Sequence, residues 1–239
     1  MLTIISGKSL IFNKVSLLII LILGCLVIPL QAQQELFNSA LNKTEKEDFK
    51  NAIEDLHKAA NFFEEKKDLA NAYKSKAIIT YIKENLNREK IFIKNEHHEL
   101  PSLPEWYKSG KCIGEKYTCE YGIEWVKPNT KGTDFDGILI LTKQIRMLTK
   151  NDGRGIPVNG ILDAEIIPKI KPGEWLNYNC ELEGKADSTI MAIVQIKGFE
   201  NKDLYTKVRQ AWKINTAKQK IENIPTKNVA CVNHCPGGC

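Results

Sequence analysis

The hydrophobic period of this chain changes once, near Asn95, and no other feature limits its fold so strongly. Before that point apolar residues recur every three or four positions; after it they alternate in short runs. A period of 3.6 lines one stripe of a helix and a period of two lines one face of a strand, so neither pattern suits the other conformation. In the first part, Ala52, Ile53, Leu56, Ala59, Ala60 and Phe63 share helical spacing, and Asp68 opens a second such segment with Ala72, Tyr73, Ala77, Ile78, Tyr81 and Ile82. Thr44 followed by Glu47 has the spacing of a capping box, which places the start of the first helix at Thr44. Two amphipathic helices joined by Glu64-Glu65-Lys66-Lys67 form an antiparallel hairpin.

Residues 95–104 are polar and carry Pro101 and Pro104, the composition of a linker. Beyond them, alternating runs predict strands at 137–143, 160–167, 175–180, 189–197, 207–215 and 229–232, with turn chemistry at Asn151-Asp152-Gly153 and Glu183-Gly184. The expected fold class is α+β: an N-terminal antiparallel helical hairpin followed by a mainly antiparallel β domain, a sandwich or half-barrel. The boundaries that follow are a leader at 1–32, a helical hairpin at 36–92, a linker at 93–106, a β domain at 107–232 and a cysteine-rich tail at 233–239.

The leader is inferred from three parts in order. Lys8 and Lys14 precede an apolar run from Val15 to Leu30, and Ala32 offers a small residue for cleavage after Pro29. The run is shorter than the roughly 20 residues that span a hydrocarbon core. Cleavage after Ala32 is the expected processing. An uncleaved anchor is one rival; lipidation of Cys25 in Ile22-Leu23-Gly24-Cys25, which resembles a lipobox, is the other. Membrane attachment is expected only in those two cases, and all three place the remaining residues outside the cytoplasm.

Removing the leader removes two lysines and no acids, so the formal charge falls from +5 to +3. A nucleic-acid binder would show a concentrated basic stripe, and none is present. Six cysteines remain: Cys112, Cys119, Cys180, Cys231, Cys235 and Cys239. An even count in an oxidising compartment implies disulfides, with fifteen possible pairings. A local bridge between Cys112 and Cys119, and a cross-strand bridge between Cys180 and Cys231, are pairings that the flanking patterns suggest.

The helical segment resembles one tetratricopeptide repeat, on the alternation Ala52-Ile53, Leu56, Ala59-Ala60, Phe62-Phe63, then Asp68, Ala72 and Ala77-Ile78. Arrays of such repeats need at least three units, so the resemblance implies a hairpin packed on a neighbouring domain, with a protein partner as its possible ligand. The segment Arg209-Gln210-Ala211-Trp212-Lys213-Ile214-Asn215, with Lys220-Ile221-Glu222, Val229-Ala230-Cys231 and the earlier Lys171-Pro172-Gly173-Glu174, is similar to the ends of uncharacterised exported proteins of cyanobacteria. That resemblance implies lineage and address and carries no activity. On pattern alone, Trp212 and Ile214 face one side of a half-buried strand and Ala211 and Lys213 the other.

For chemistry, the tail is the sharpest feature. Cys231, His234, Cys235 and Cys239 could form a tetrahedral zinc or copper(I) site, although Cys-x3-Cys-x3-Cys lacks the tight Cys-x2-Cys turn and export favours oxidation. His97-His98 between Glu96 and Glu99 fits a solvated linker and not a zinc-protease spacing. Thr133-Asp134-Phe135-Asp136-Gly137 lacks the later oxygens of a calcium loop and fits a turn entering a strand. No nucleophile elbow, phosphate loop or dinucleotide fingerprint occurs, and no catalytic residue or cofactor is assigned. The expected function is a non-enzymatic periplasmic or extracellular binding or assembly module. The alternatives are a metal-handling protein that uses the tail and an envelope enzyme of a kind the motifs do not identify.

Overall fold

The computed structural model describes residues 31–94, 100–114, 119–127, 134–196 and 203–233. It is an α+β protein in which an N-terminal helical layer precedes antiparallel sheets. Among the described residues, three helices form that layer: α1, helical through residues 31–45, α2 (Phe49–Glu65) and α3 (Leu69–Lys94). The two turns between them are built alike. Asp48 N–H reaches Lys43 O and Glu47 N–H reaches Thr44 O; Asp68 N–H reaches Phe63 O and Lys67 N–H reaches Glu64 O. Glu47 and Lys67 both sit at φ 58°, so each helix ends in a Schellman motif that uses a left-handed residue other than glycine. The aspartate after each turn opens the next helix and holds the asparagine three positions on, Asn51 at 2.9 Å and Asn71 at 2.7 Å.

The capping box expected at Thr44 and Glu47 is therefore corrected. Thr44 lies in the last turn of α1, fully buried, and Asp48 precedes α2. The Ser/Thr-x-x-Glu pattern marks a helix start only when its hydroxyl is free to face the first amides. Here the hydroxyl is engaged by a strand.

Among the described residues, twelve strands follow the helices. β1 (Tyr107–Ile113), β2 (Tyr121–Val126), β3 (Phe135–Thr149) and β4 (Gly155–Pro168) form a meander in that order. A second sheet has the order β11-β10-β8-β5, from β5 (Glu174–Asn177), β8 (Ile190–Gln195), β10 (Val208–Asn215) and β11 (Lys220–Ile224). A third has the order β7-β6-β12-β9, from β6 (Cys180–Leu182), β7 (Lys185–Ala186), β9 (Leu204–Tyr205) and β12 (Val229–Val232). Glu183 and Gly184, both left-handed, make the tight β6–β7 turn.

Alternation within single strands stacks these layers. Ile138 and Ile140 of β3 pack with Leu56, Ile78 and Ile82 of the helices, whereas Leu139 and Leu141 pack with Leu176, Ile193 and Trp212 of the second sheet. Along β8, Met191 and Ile193 join that same core, while Ile190, Ala192 and Val194 pack with Cys180, Val229 and Cys231 of the third sheet. The order is thus helices, first sheet, second sheet, third sheet, and the middle strands are apolar on both faces. This also changes the expectation for β10. Trp212 and Ile214 do share one side and Ala211 takes the other with Lys213; Ala211 is buried as well, so the strand is central and packed on both faces, with Lys213 left partly exposed.

Candidate functional site

The cysteines fall into two described pairs. Cys112 is joined to Cys119 across the β1–β2 hairpin, where both residues are exposed. Cys180 is joined to Cys231, and the two face each other directly across the β6–β12 ladder. Val232 N–H bonds to Asn179 O beside them, so they occupy a non-hydrogen-bonded position, where opposite residues approach most closely. With its sulfur bonded to that of Cys180, Cys231 is not a thiolate ligand. His234, Cys235 and Cys239, the other ligands expected in the tail, lie outside the described residues, as do Cys25, the leader through residue 30, Glu96, His97, His98, Glu99 and Thr133. No group of three or more metal-ligating side chains occurs among the described residues. Asp136 instead accepts from Lys127 at 2.5 Å just inside β3. No helix among the described residues is long and apolar enough to cross a membrane.

A different set of side chains converges between α3 and the first sheet. The inward stripe of α3 is apolar through Ala77, Ile78 and Ile82, then turns polar. Tyr81, Asn85, Arg88 and Glu89 follow at i, i+4, i+7 and i+8 and so share one face. They line a narrow cleft of about 20 Å³, room for about one water, together with Ile156, Pro157, Asn159 and Ile161 of β4. Phe49 and Leu86 close its sides.

Tyr81 is buried, and its hydroxyl donates to Glu124 Oε1 at 2.7 Å. Glu124 lies on the helix-facing side of β2, where burial raises its carboxyl above the usual range against the opposing pull of Tyr81 and Arg88. Burial and that same carboxylate push the Tyr81 hydroxyl well up. Tyr107, next to Trp106, is pushed up to about 12, by burial first and by Glu124 second. Its hydroxyl occupies the space that a side chain at Gly110 would need, and Gly110 is the residue paired with Glu124. Trp106 packs edge-on to Tyr81, with ring centroids 5.9 Å apart.

Arg88 is the least satisfied member of this group. Its Nε is buried and has no hydrogen-bond partner, and its nearest contact is a 3.4 Å bond from Nη1 to Asn85 Oδ1. The carboxylates around it are engaged elsewhere. Glu124 accepts from Tyr81, and Glu89 lies 3.7 Å from Arg146, which also bonds Glu47 at 2.8 Å. Trp106 Nε1, beside Tyr81, is a second buried donor without an acceptor. Burying such donors without acceptors is costly, so an under-bonded guanidinium at the edge of a cleft marks a place where an acceptor would be stabilising.

Sequence reasoning identified none of these residues as a site. The signal was present: four polar side chains extend the inward stripe of α3, and Glu124 interrupts the helix-facing positions of β2. His57, by contrast, points outward from α2 and takes no part.

Comparison of the chain with family models, with curated proteins and with solved structures returned no match.

Proposed function

We propose that this protein is an exported, non-enzymatic binding module, stapled by disulfides, whose ligand enters the cleft between α3 and the first sheet. The observation that carries this reading is the Arg88 guanidinium, with a buried Nε that lacks an acceptor inside a cleft walled by apolar side chains. Two disulfides support an oxidising compartment, since such bonds persist mainly outside the reducing cytosol. A protein partner docked on the helical hairpin has weaker support, because the outward residues of α2, among them Lys50, Glu54, His57, Lys58 and Glu64, are charged or polar.

The test has two arms on the full chain expressed with its leader. Intact mass after thiol blocking is expected to show a start at Gln33 and no free thiol at the four paired cysteines. Recovery of unprocessed, reduced protein would overturn the export half. A thermal-shift screen of small molecules then compares the wild type with Leu86→Trp, which fills the cleft. A stabilising compound that the variant no longer recognises supports the binding half. Stabilisation that the variant retains, or conversion of the compound to a product, would overturn it.

A further inference from the structure

We propose that the ledge where the second and third sheets join, from Trp175 to Lys227, binds an acidic polysaccharide, with its sugar rings against Trp175 and its carboxylates on Lys207 and Lys227. The proposal does not use the cleft beneath α3; it rests on the chain lying outside the cytosol, where such polymers are the polyanions at hand. Residues 206–209 and 226–227 line a broad, open depression there, together with Glu174. The two segments belong to crossovers between these sheets, β9 to β10 and β11 to β12. Glu174 is already engaged, by Arg209 at 2.8 Å and by the Lys171 N–H at 2.9 Å. Lys207 and Lys227 are exposed and have no hydrogen-bond or ion-pair partner among the described residues, and the Thr206 and Thr226 hydroxyls have none either. Trp175 opposes Val194 and Val194 opposes Val208, so the three share one face, and Trp175 stands two strands, about 10 Å, from the depression. It is 60% exposed, a large apolar ring left in water on an edge strand.

The weakness of each single contact favours a polymer. Exposed ion pairs contribute little, so two lysines on an open surface do not hold a small anion, whereas a chain that repeats its carboxylate engages both at once. The indole face stacks on the apolar C–H face of a pyranose ring, and the threonine hydroxyls exchange hydrogen bonds with sugar hydroxyls. The depression has no enclosing walls, which suits a chain laid along a surface and not a molecule sealed in a pocket. Beyond Lys227 the surface turns acidic at Glu181 and Glu183, so the polymer runs from Lys227 toward Trp175 and not along β6.

The experiment measures binding of the mature protein to polygalacturonate, its methyl ester, polyglutamate, a single-stranded oligonucleotide and phosphatidylglycerol vesicles at matched low salt. Polygalacturonate is expected to bind at least about tenfold more tightly than the others, equivalent to about 1.4 kcal/mol, and to shield tryptophan fluorescence from acrylamide. The double variant Lys207→Gln, Lys227→Gln and the single variant Trp175→Ala are each expected to weaken it by about tenfold, and Trp175→Ala to remove the shielding. All three positions are exposed, so the variants keep the fold. Leu86→Trp, which alters the cleft, is expected to leave binding unchanged. If the ester binds equally, the carboxylate assignment is overturned. If polyglutamate, the oligonucleotide or the vesicles match polygalacturonate, the saccharide assignment is overturned. No binding of polygalacturonate, or binding that none of these lysine and tryptophan substitutions weakens, overturns the ledge as a site.

Discussion

Thr44 and Ile161, 117 residues apart, meet through one hydroxyl: Thr44 Oγ1 accepts from the Ile161 N–H at 2.7 Å and donates to Leu41 O at 2.7 Å. β4 is an edge strand of the first sheet, and its pairing with β3 slips at this point, Leu141 opposing Asp163 and Thr142 opposing Ile161. The slip leaves an edge amide to be satisfied, and the end of α1 covers it. Thr44→Val keeps the shape and deletes the acceptor, so a buried N–H loses its partner. The expected cost is about 1–3 kcal/mol in a denaturant titration. Thr44→Ser, which retains the hydroxyl, should lose clearly less. Equal losses for the two variants would mean that packing of the methyl, and not the hydrogen bond, fixes α1 on the strand.

The same junction depends on Gly160. A Cβ there would lie 2.8 Å from Glu45 Cα, which is backbone and cannot rotate away. Gly160→Ala should therefore displace the end of α1 and cost roughly 1–3 kcal/mol, as overpacking usually does. Trimming the neighbour with Glu45→Ala should not restore stability. If it did, the obstacle would be the glutamate side chain and not the helix backbone.

These two positions show why part of the architecture was legible and part was not. The α2–α3 hairpin and six of the twelve described strands were visible because each carries its own period: Ala52, Leu56 and Phe63 on one stripe, Ile190, Ala192 and Val194 on one face. The role of Thr44 was hidden because its partner is remote, so a local pattern suggested a cap where a tertiary bond stands. The two Schellman turns could have been found, since Lys46-Glu47-Asp48 and Lys66-Lys67-Asp68 lead into the like segments Phe49-Lys50-Asn51-Ala52 and Leu69-Ala70-Asn71-Ala72. The cleft was harder to see. Arg88 and Glu124 are ordinary residues of a helix and a strand, and they stand out only when β2 and β4 are placed against α3.

The disulfides should separate under limiting reductant. Thiol–disulfide exchange requires a thiolate to reach sulfur, and Cys112–Cys119 is exposed whereas Cys180 and Cys231 are buried in the core between the second and third sheets. Brief treatment with a dithiol followed by alkylation is expected to label Cys112 and Cys119 first, with Cys180 and Cys231 labelled only on unfolding. Their thermodynamic weights run the other way. In the loop-entropy account, a separation of 51 contributes about 4 kcal/mol and a separation of 7 about 2 kcal/mol. Paired Cys→Ala variants should rank accordingly in urea, and the reverse ranking would locate the main constraint in the β1–β2 hairpin.

Glu124 should make stability fall as pH rises. Burial raises its carboxyl above the ordinary glutamate value, despite the hydrogen bond from Tyr81 and the proximity of Arg88. Between the unfolded value and the raised folded value the native state holds a proton that the unfolded chain releases, so the slope of stability against pH is negative. The contribution is fully present below the ordinary glutamate range and is lost as pH climbs through the raised value. Glu124→Gln keeps an oxygen for the Tyr81 hydroxyl and carries no charge at any pH. Urea midpoints measured from roughly pH 4 to pH 7, spanning the range above the unperturbed glutamate value, should fall less for the variant than for the wild type, with the gap widening toward neutrality. The slope should flatten and not vanish, because burial also raises Glu89 and Glu165. Parallel curves would show that Glu124 titrates as an ordinary carboxylate and that Arg88 is neutralised by it, which would also deprive the cleft of its uncommitted cation.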